Sequence, residues 1–236
     1  MNSQIYRTAG YVAILCGIAA ILTLVTSVLF FSLEAPTVGT DAARTHLWGP
    51  LSDLTPIIQM ALLLGVAYFL FQIQRSAAAT LSWIATVVGV IGMLGVIAFQ
   101  ALLMLQVIPF EQEVGPMLMA MGLVGVWVIL VNYLGRQQTN LPAWLTWLGV
   151  AVGVAFILEP VLLAAMGGAV NWKAMVSSPA MATSSALVFL VAYLGFPIWV
   201  IGLGWVLIAS HPDIQENPVR ANTIRNNKDA KRASAR

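Results

Sequence analysis

The sequence predicts an all-α protein, a polytopic integral membrane bundle of six transmembrane helices. The 236 residues are 60% hydrophobic and only 8% charged, with a mean hydropathy of +0.89. That is too little polar surface for a water-soluble domain of this size, so lipid must serve as solvent. Six separate runs approach or exceed the roughly 20 apolar residues that cross about 30 Å of hydrocarbon. They are apolar on every side and far longer than the roughly ten-residue alternating strands of a membrane barrel, which excludes a β architecture.

The runs cover residues 9–33, 56–73, 81–108, 116–134, 142–166 and 186–209. The first follows Arg7 and is too long for the apolar region of a secretory signal, and Pro36 stands where cleavage would be awkward. It reads as a retained helix that doubles as a signal anchor. Pro56, Pro116 and Pro142 are expected in the first turns of the second, fourth and fifth helices, where a missing N–H costs nothing. Short connections at 74–80 and 135–141 make helices two and three, and four and five, antiparallel neighbours. The connections at 34–55 and 167–185 are longer; Thr40-Asp41 opens an expected short helix there, and Leu47 and Trp48 are placed to dip into the interface.

Orientation follows from the basic residues. Arg7, Arg75, Arg136 and the tail with Arg220, Arg225, Lys228, Lys231, Arg232 and Arg236 fall on one side of a six-helix path, and only Arg44 and Lys173 on the other. Both termini are therefore expected in the cytoplasm. The chain divides into a transmembrane domain, 1–210, and a basic cytoplasmic tail, 211–236, whose composition predicts disorder. Its partners are the bilayer and anionic lipid headgroups, each nearby charge contributing about 1 kcal/mol. No aromatic or motif in the tail supports nucleic-acid binding.

Small residues recur at four-residue spacing: Gly149 and Gly153 on helix five, Ala9, Ala13 and Gly17 on helix one, Ala85 and Gly89 on helix three. Such stripes let helices approach closely, either within one bundle or across a seam to a second copy. Trp83, Trp144, Trp147 and Trp205 fall at the cytoplasmic boundary as an interfacial belt, whereas Trp127 and Trp199 fall near mid-membrane. An indole N–H at that depth needs a partner, so these two either pair internally or line a cavity.

Chemistry-bearing residues are few. The single cysteine, Cys16, excludes an internal disulfide, and His46 and His211 lie outside the apolar runs, so no bis-histidine cofactor site can form within the helices. No zinc-hydrolase, serine-hydrolase or phosphate-loop motif is present, and no cofactor is implied. Glu159 is the one Asp, Glu, Lys, Arg or His inside a long apolar run. A charge there is expensive, and its position places it about 26 Å beyond Pro142, near the outer hydrocarbon edge. Its expected partner is Lys173 or Arg44. Pro160 deprives the Phe156 carbonyl of its helical donor, and Pro197 does the same to Tyr193. Thr23, Thr26, Ser27, Gln59, Gln100 and Gln106 fall in the same half of the bundle. The candidate ligand-binding set is Glu159, Trp127, Trp199, Tyr193, Gln59 and Gln100, lining an outward-facing crevice. The plainer reading has the hydroxyls bonding to their own helices and the glutamines bridging neighbours.

The run Arg7-Thr8-Ala9-Gly10, the stretch LPAWLTWLGVAVGV at 141–154 and PIWVIGLGWVL at 197–207 resemble an uncharacterised group of prokaryotic six-helix membrane proteins, the 4386 group of domains of unknown function. The resemblance implies a six-helix fold in the bacterial inner (cytoplasmic) membrane; it implies no activity and no site residues. Two functions stay open. One is an accessory or assembly component, for which a membrane-protein partner or a second copy is the implied partner. The other is a carrier or sensor of a small amphipathic or cationic ligand. A closed interior favours the first, and a cavity running past Glu159 towards Trp199 favours the second.

Overall fold

The computed structural model describes residues 3–35, 46–76, 78–138, 141–165 and 179–209. They form α1 (Ser3–Leu29), which widens into a π-helical turn at Phe30–Glu34, then α2 (Trp48–Gln74), α3 (Ala79–Met104), α4 (Phe110–Gln138), α5 (Ala143–Ala165) and α6 (Pro179–Ala209). All six are long and apolar enough to cross a membrane. The protein is thus an all-α six-helix bundle of multi-pass composition. Each helix packs against its neighbours in the chain, α6 closes back on α1, and α2 touches α4 across the middle. The result is a closed ring with one end carrying Arg7, Arg75 and Arg136 and the other carrying Glu34, Asp53, Glu111 and Glu113.

Four helices start more than a turn before the expected runs, α1 at Ser3 and α6 at Pro179 as well as α2 and α4. Pro56 and Pro116 lie inside α2 and α4 rather than in their first turns. In α2 the reason is a cap from outside the helix. The Glu34 carboxylate, at the end of the π-helical turn, accepts hydrogen bonds from the Trp48 and Gly49 N–H groups, each at 3.1 Å. Those are orphan donors of a helix N-terminus, and a carboxylate there is also favoured by the helix dipole. The cap ties α1 to α2 and lets α2 begin well before its proline. In α4 the starting proline is Pro109, whose carbonyl accepts from the Gln112 and Glu113 N–H groups. Pro142 behaves as expected, accepting from Leu145 and Thr146 at the start of α5.

The turn from α3 to α4 closes with paired bonds, Val107 N–H to Leu102 C=O and Gln106 N–H to Leu103 C=O, both 2.9 Å. This helix-ending motif needs a left-handed residue, and Gln106 supplies it at φ 56° in place of the usual glycine. Gln106 is therefore an exposed turn residue and not part of an interior surface.

Glycines set the helix separations. A Cβ on Gly10 would lie 2.6 Å from the Gly204 carbonyl oxygen, and one on Gly204 would lie 2.6 Å from that of Gly10, so α1 and α6 meet backbone to backbone where the ring closes. Gly125 and Gly153 do the same for α4 and α5. The three stripes read from the sequence are used inside the bundle: Gly153 against Gly125, Gly17 against Ile201, and Gly89 against Trp127. Trp83, Trp144, Trp147 and Trp205 are exposed at the arginine end, as an interfacial belt requires. The expected short helix at Thr40-Asp41, Arg44, Lys173 and the basic tail lie outside the described residues.

These contacts give a graded test. Gly204→Ala and Gly125→Ala should each destabilise the bundle by about 1–3 kcal/mol, since the added methyl meets backbone that cannot move aside. Gly115→Ala, where the nearest atom is 3.9 Å from the added carbon, should be neutral or gain roughly 0.5–1 kcal/mol from helix propensity. Thermal melts in detergent compare the three, and equal effects at all three would refute the account of ring closure.

Candidate functional site

Polar residues enter the bundle in two layers, one in each half. In the half nearer the arginine end, Asn132 on α4 is 1% exposed. Its amide donates to the Val128 carbonyl at 2.7 Å and its Oδ1 accepts from Trp199 Nε1 at 3.1 Å. Trp199 meets Trp127 edge to face, ring centroids 6.3 Å apart at 87°, an arrangement aromatic quadrupoles favour. The group fits because of two glycines. A Cβ on Gly149 would collide with both Asn132 and Trp199, and one on Gly89 would lie 2.5 Å from Trp127. Gln74 completes this layer from α2 by donating to the Val131 carbonyl at 3.1 Å. Of the two central tryptophans, Trp199 is paired, while the buried Trp127 Nε1 has no hydrogen-bond partner.

The other layer lies towards the acidic end. Glu113 stands in the first turn of α4, a favourable place for an acid. It is 1% exposed and accepts from Gln100 Nε2 of α3 at 3.1 Å, while the same amide lies 3.2 Å from Met117 Sδ. Glu159 sits on the buried face of α5 with Val152, Phe156 and Leu163. It is 2% exposed, and neither of its oxygens has a hydrogen-bond partner. Tyr193 of α6 lies within electrostatic reach of both carboxyls and is packed by Phe156 at 6.2 Å and Phe189 at 5.7 Å. Beside it is a cavity of about 20 Å³, lined by Thr23, Gln59, Phe156, Tyr193, Phe196 and Pro197 among others. That is room for one water molecule.

Among the described residues no open crevice reaches Glu159, which is buried. One turn beyond it, Leu163 packs with Val114 and Leu118, flanked by Phe110 and Met117, and these apolar side chains plug the acidic end between α4 and α5. The plug explains why a carboxyl near the end of its span is nonetheless sealed. The other expected lining residues divide among separate places. Thr23 and Thr26 bond to their own helix, to Ala19 and Leu22, and Thr26 also pairs with Thr55 at 3.0 Å. Gln100 bridges two helices, and Gln59 reaches the small cavity. Glu159, Tyr193 and Gln59 are thus neighbours through one layer, whereas Trp127 and Trp199 belong to the other.

Two contributors escaped the sequence reading. Glu113 precedes Pro116, the expected start of the fourth helix, and so falls outside the apolar runs. Asn132, a lone amide in an otherwise apolar stretch of α4, carried a visible signal, but its partner depends on helix register. Among the described residues no group of three His, Cys, Asp or Glu side chains could hold a metal ion. Cys16 is buried and donates to the Gln59 carbonyl at 3.6 Å, a packing role. No family model, curated protein or solved structure matches this chain.

The Asn132–Trp199 bond can be weighed directly. Asn132→Ala strands a buried indole N–H and should cost about 1–3 kcal/mol. In a Trp199→Phe background, which has no such donor, the same change should cost at least about 0.5 kcal/mol less. Additive losses in a double-mutant cycle of thermal melts would show that the two side chains are only neighbours.

Proposed function

We propose that this chain is a non-catalytic component of a prokaryotic cytoplasmic membrane, an accessory or assembly subunit that acts by holding a membrane partner. The observation that carries this reading is the filled interior. Among the described residues, the cavity beside Asn132 and Trp199 and the one beside Tyr193 measure about 10 and 20 Å³, against the several hundred Å³ that small-molecule sites occupy. A carrier of an organic cation needs a path to its carboxylate, and the plug over Glu159 supplies none. The resemblance of the 7–10, 141–154 and 197–207 segments to the uncharacterised 4386 group belongs to this proposal: it implies a prokaryotic cytoplasmic membrane and no activity.

The exposed Arg7, Arg75 and Arg136 and the tryptophan belt at the same end support cytoplasmic termini. In this reading the tail, 211–236, adds electrostatic attachment to anionic headgroups. Reporter fusions after Arg75, Arg136 and Ser210 should report the cytoplasm, and fusions after Ala42 and Lys173 the outside. Any one on the wrong side breaks the topology.

The function itself is tested by mild extraction of the full chain from its native membrane. A stoichiometric membrane partner is expected, and that partner should fall in abundance when the chain is deleted. A chain that purifies alone, leaves every other membrane protein unchanged on deletion and gains thermal stability from small organic cations would overturn the reading in favour of a carrier.

A further inference from the structure

Glu159 is the buried group that neither packing nor the accessory role explains. Both carboxyl oxygens are shut off from the surface, and neither meets a donor. α5 packs against α4 and α6. From α4 the titratable groups at this end are Glu111, which is exposed, and Glu113, which is buried and engaged with Gln100; from α6 it is Tyr193. None of these is a cation. Among the described residues the basic side chains are Arg7, Arg75, Arg136 and His46, all exposed, with the three arginines at the far end of the bundle.

The same surroundings define what the carboxyl can bind. A metal ion needs several oxygen ligands converging on it, yet among the described residues Glu159 belongs to no group of three His, Cys, Asp or Glu side chains that could hold one. An organic cation needs a cavity, and the neighbouring one by Tyr193 has room for a single water only. A proton needs neither. We propose that Glu159 is a proton-binding site: it carries a proton while the acidic ends of α4, α5 and α6 are packed, and releases it to water when those ends part.

The backbone around it is built to part. Glu159 is followed at once by Pro160, and Tyr193 is the residue whose carbonyl Pro197 deprives of a donor, so both helices lack a helical bond beside the acidic layer. The α5–α6 seam is also the least extensive of the six seams in the ring. On opening, the carboxyl O–H bond breaks, the proton passes to an entering water, and the carboxylate left behind is solvated. Repacking reverses each step and returns the proton.

The test uses the full chain in lipid vesicles. At about pH 7, where a solvated glutamate is ionised, infrared spectra should contain a carboxylic acid C=O band that shifts in D2O. It should vanish in Glu159→Gln and survive in Glu113→Gln. Raising the pH should abolish the band and, together with it, lower the protection of the outer-turn amides of α5 and α6, taken relative to the intrinsic base-catalysed exchange rate at each pH, at least several-fold; in Glu159→Gln that protection should no longer change with pH. Should Glu159→Gln fail to accumulate, Glu159→Asp keeps the acid and must move the band. No acid band at neutral pH, a band that persists in Glu159→Gln or stays in place in Glu159→Asp, or exchange that ignores the loss of the band would each overturn the proposal. None of these results depends on whether a partner protein is found.

Discussion

A polar group inside a bundle surrounded by hydrocarbon has no water to fall back on, and the arrangement of this molecule follows from that constraint. Most interior groups are answered by protein. Asn132 answers Trp199 and is itself held by its own helix; Gln74 reaches a carbonyl on a helix that does not adjoin its own in the ring. Gln100 answers Glu113, and Glu34 answers the first turn of α2. Each pairing joins two elements. The polar groups therefore fix the register between helices that are otherwise held by shape alone.

Shape depends in turn on glycine. Lipid tails are as apolar as leucine, so helices gain little by hiding apolar side chains from them and associate through close packing. The backbone contact of Gly10 with Gly204 brings the last helix onto the first, and the glycines opposite Trp127 and Trp199 are the spaces into which the large rings fit. Close approach and polar pairing thus support each other: without the notch at Gly149, Asn132 and Trp199 could not occupy the positions in which they bond.

The number of helices, their limits to within a turn or so in most cases, and the use of small residues at their contacts were legible because they follow from composition and spacing. The starts of α2 and α4 were not, since a proline marks a first turn only when nothing else caps the helix; Glu34 and Pro109 do that here. At the candidate site, the sequence isolated Glu159, Gln59, Gln100 and Tyr193 and expected one open surface. The closure depends on Leu163 facing Val114 and Leu118, a matter of rotation between α4 and α5 that no single-chain pattern records. Separation of Trp127 and Trp199 into a different layer is likewise a property of register.

Among the buried groups of the described residues that lack an answer, Trp127 and Glu159 are the two that differ most in kind. The Trp127 N–H is neutral; leaving it unpaired costs about 1–3 kcal/mol, which the burial of so large a ring offsets. An unpaired carboxylate would cost far more, and a side chain such as leucine would fill the same space without that penalty. Packing therefore gives a reason for the tryptophan and none for the glutamate. A group that fits the closed bundle in one ionic form and the opened bundle in the other makes the two shapes depend on proton activity at the acidic end, through α5 and α6, the helices whose prolines have already removed a hydrogen bond beside it.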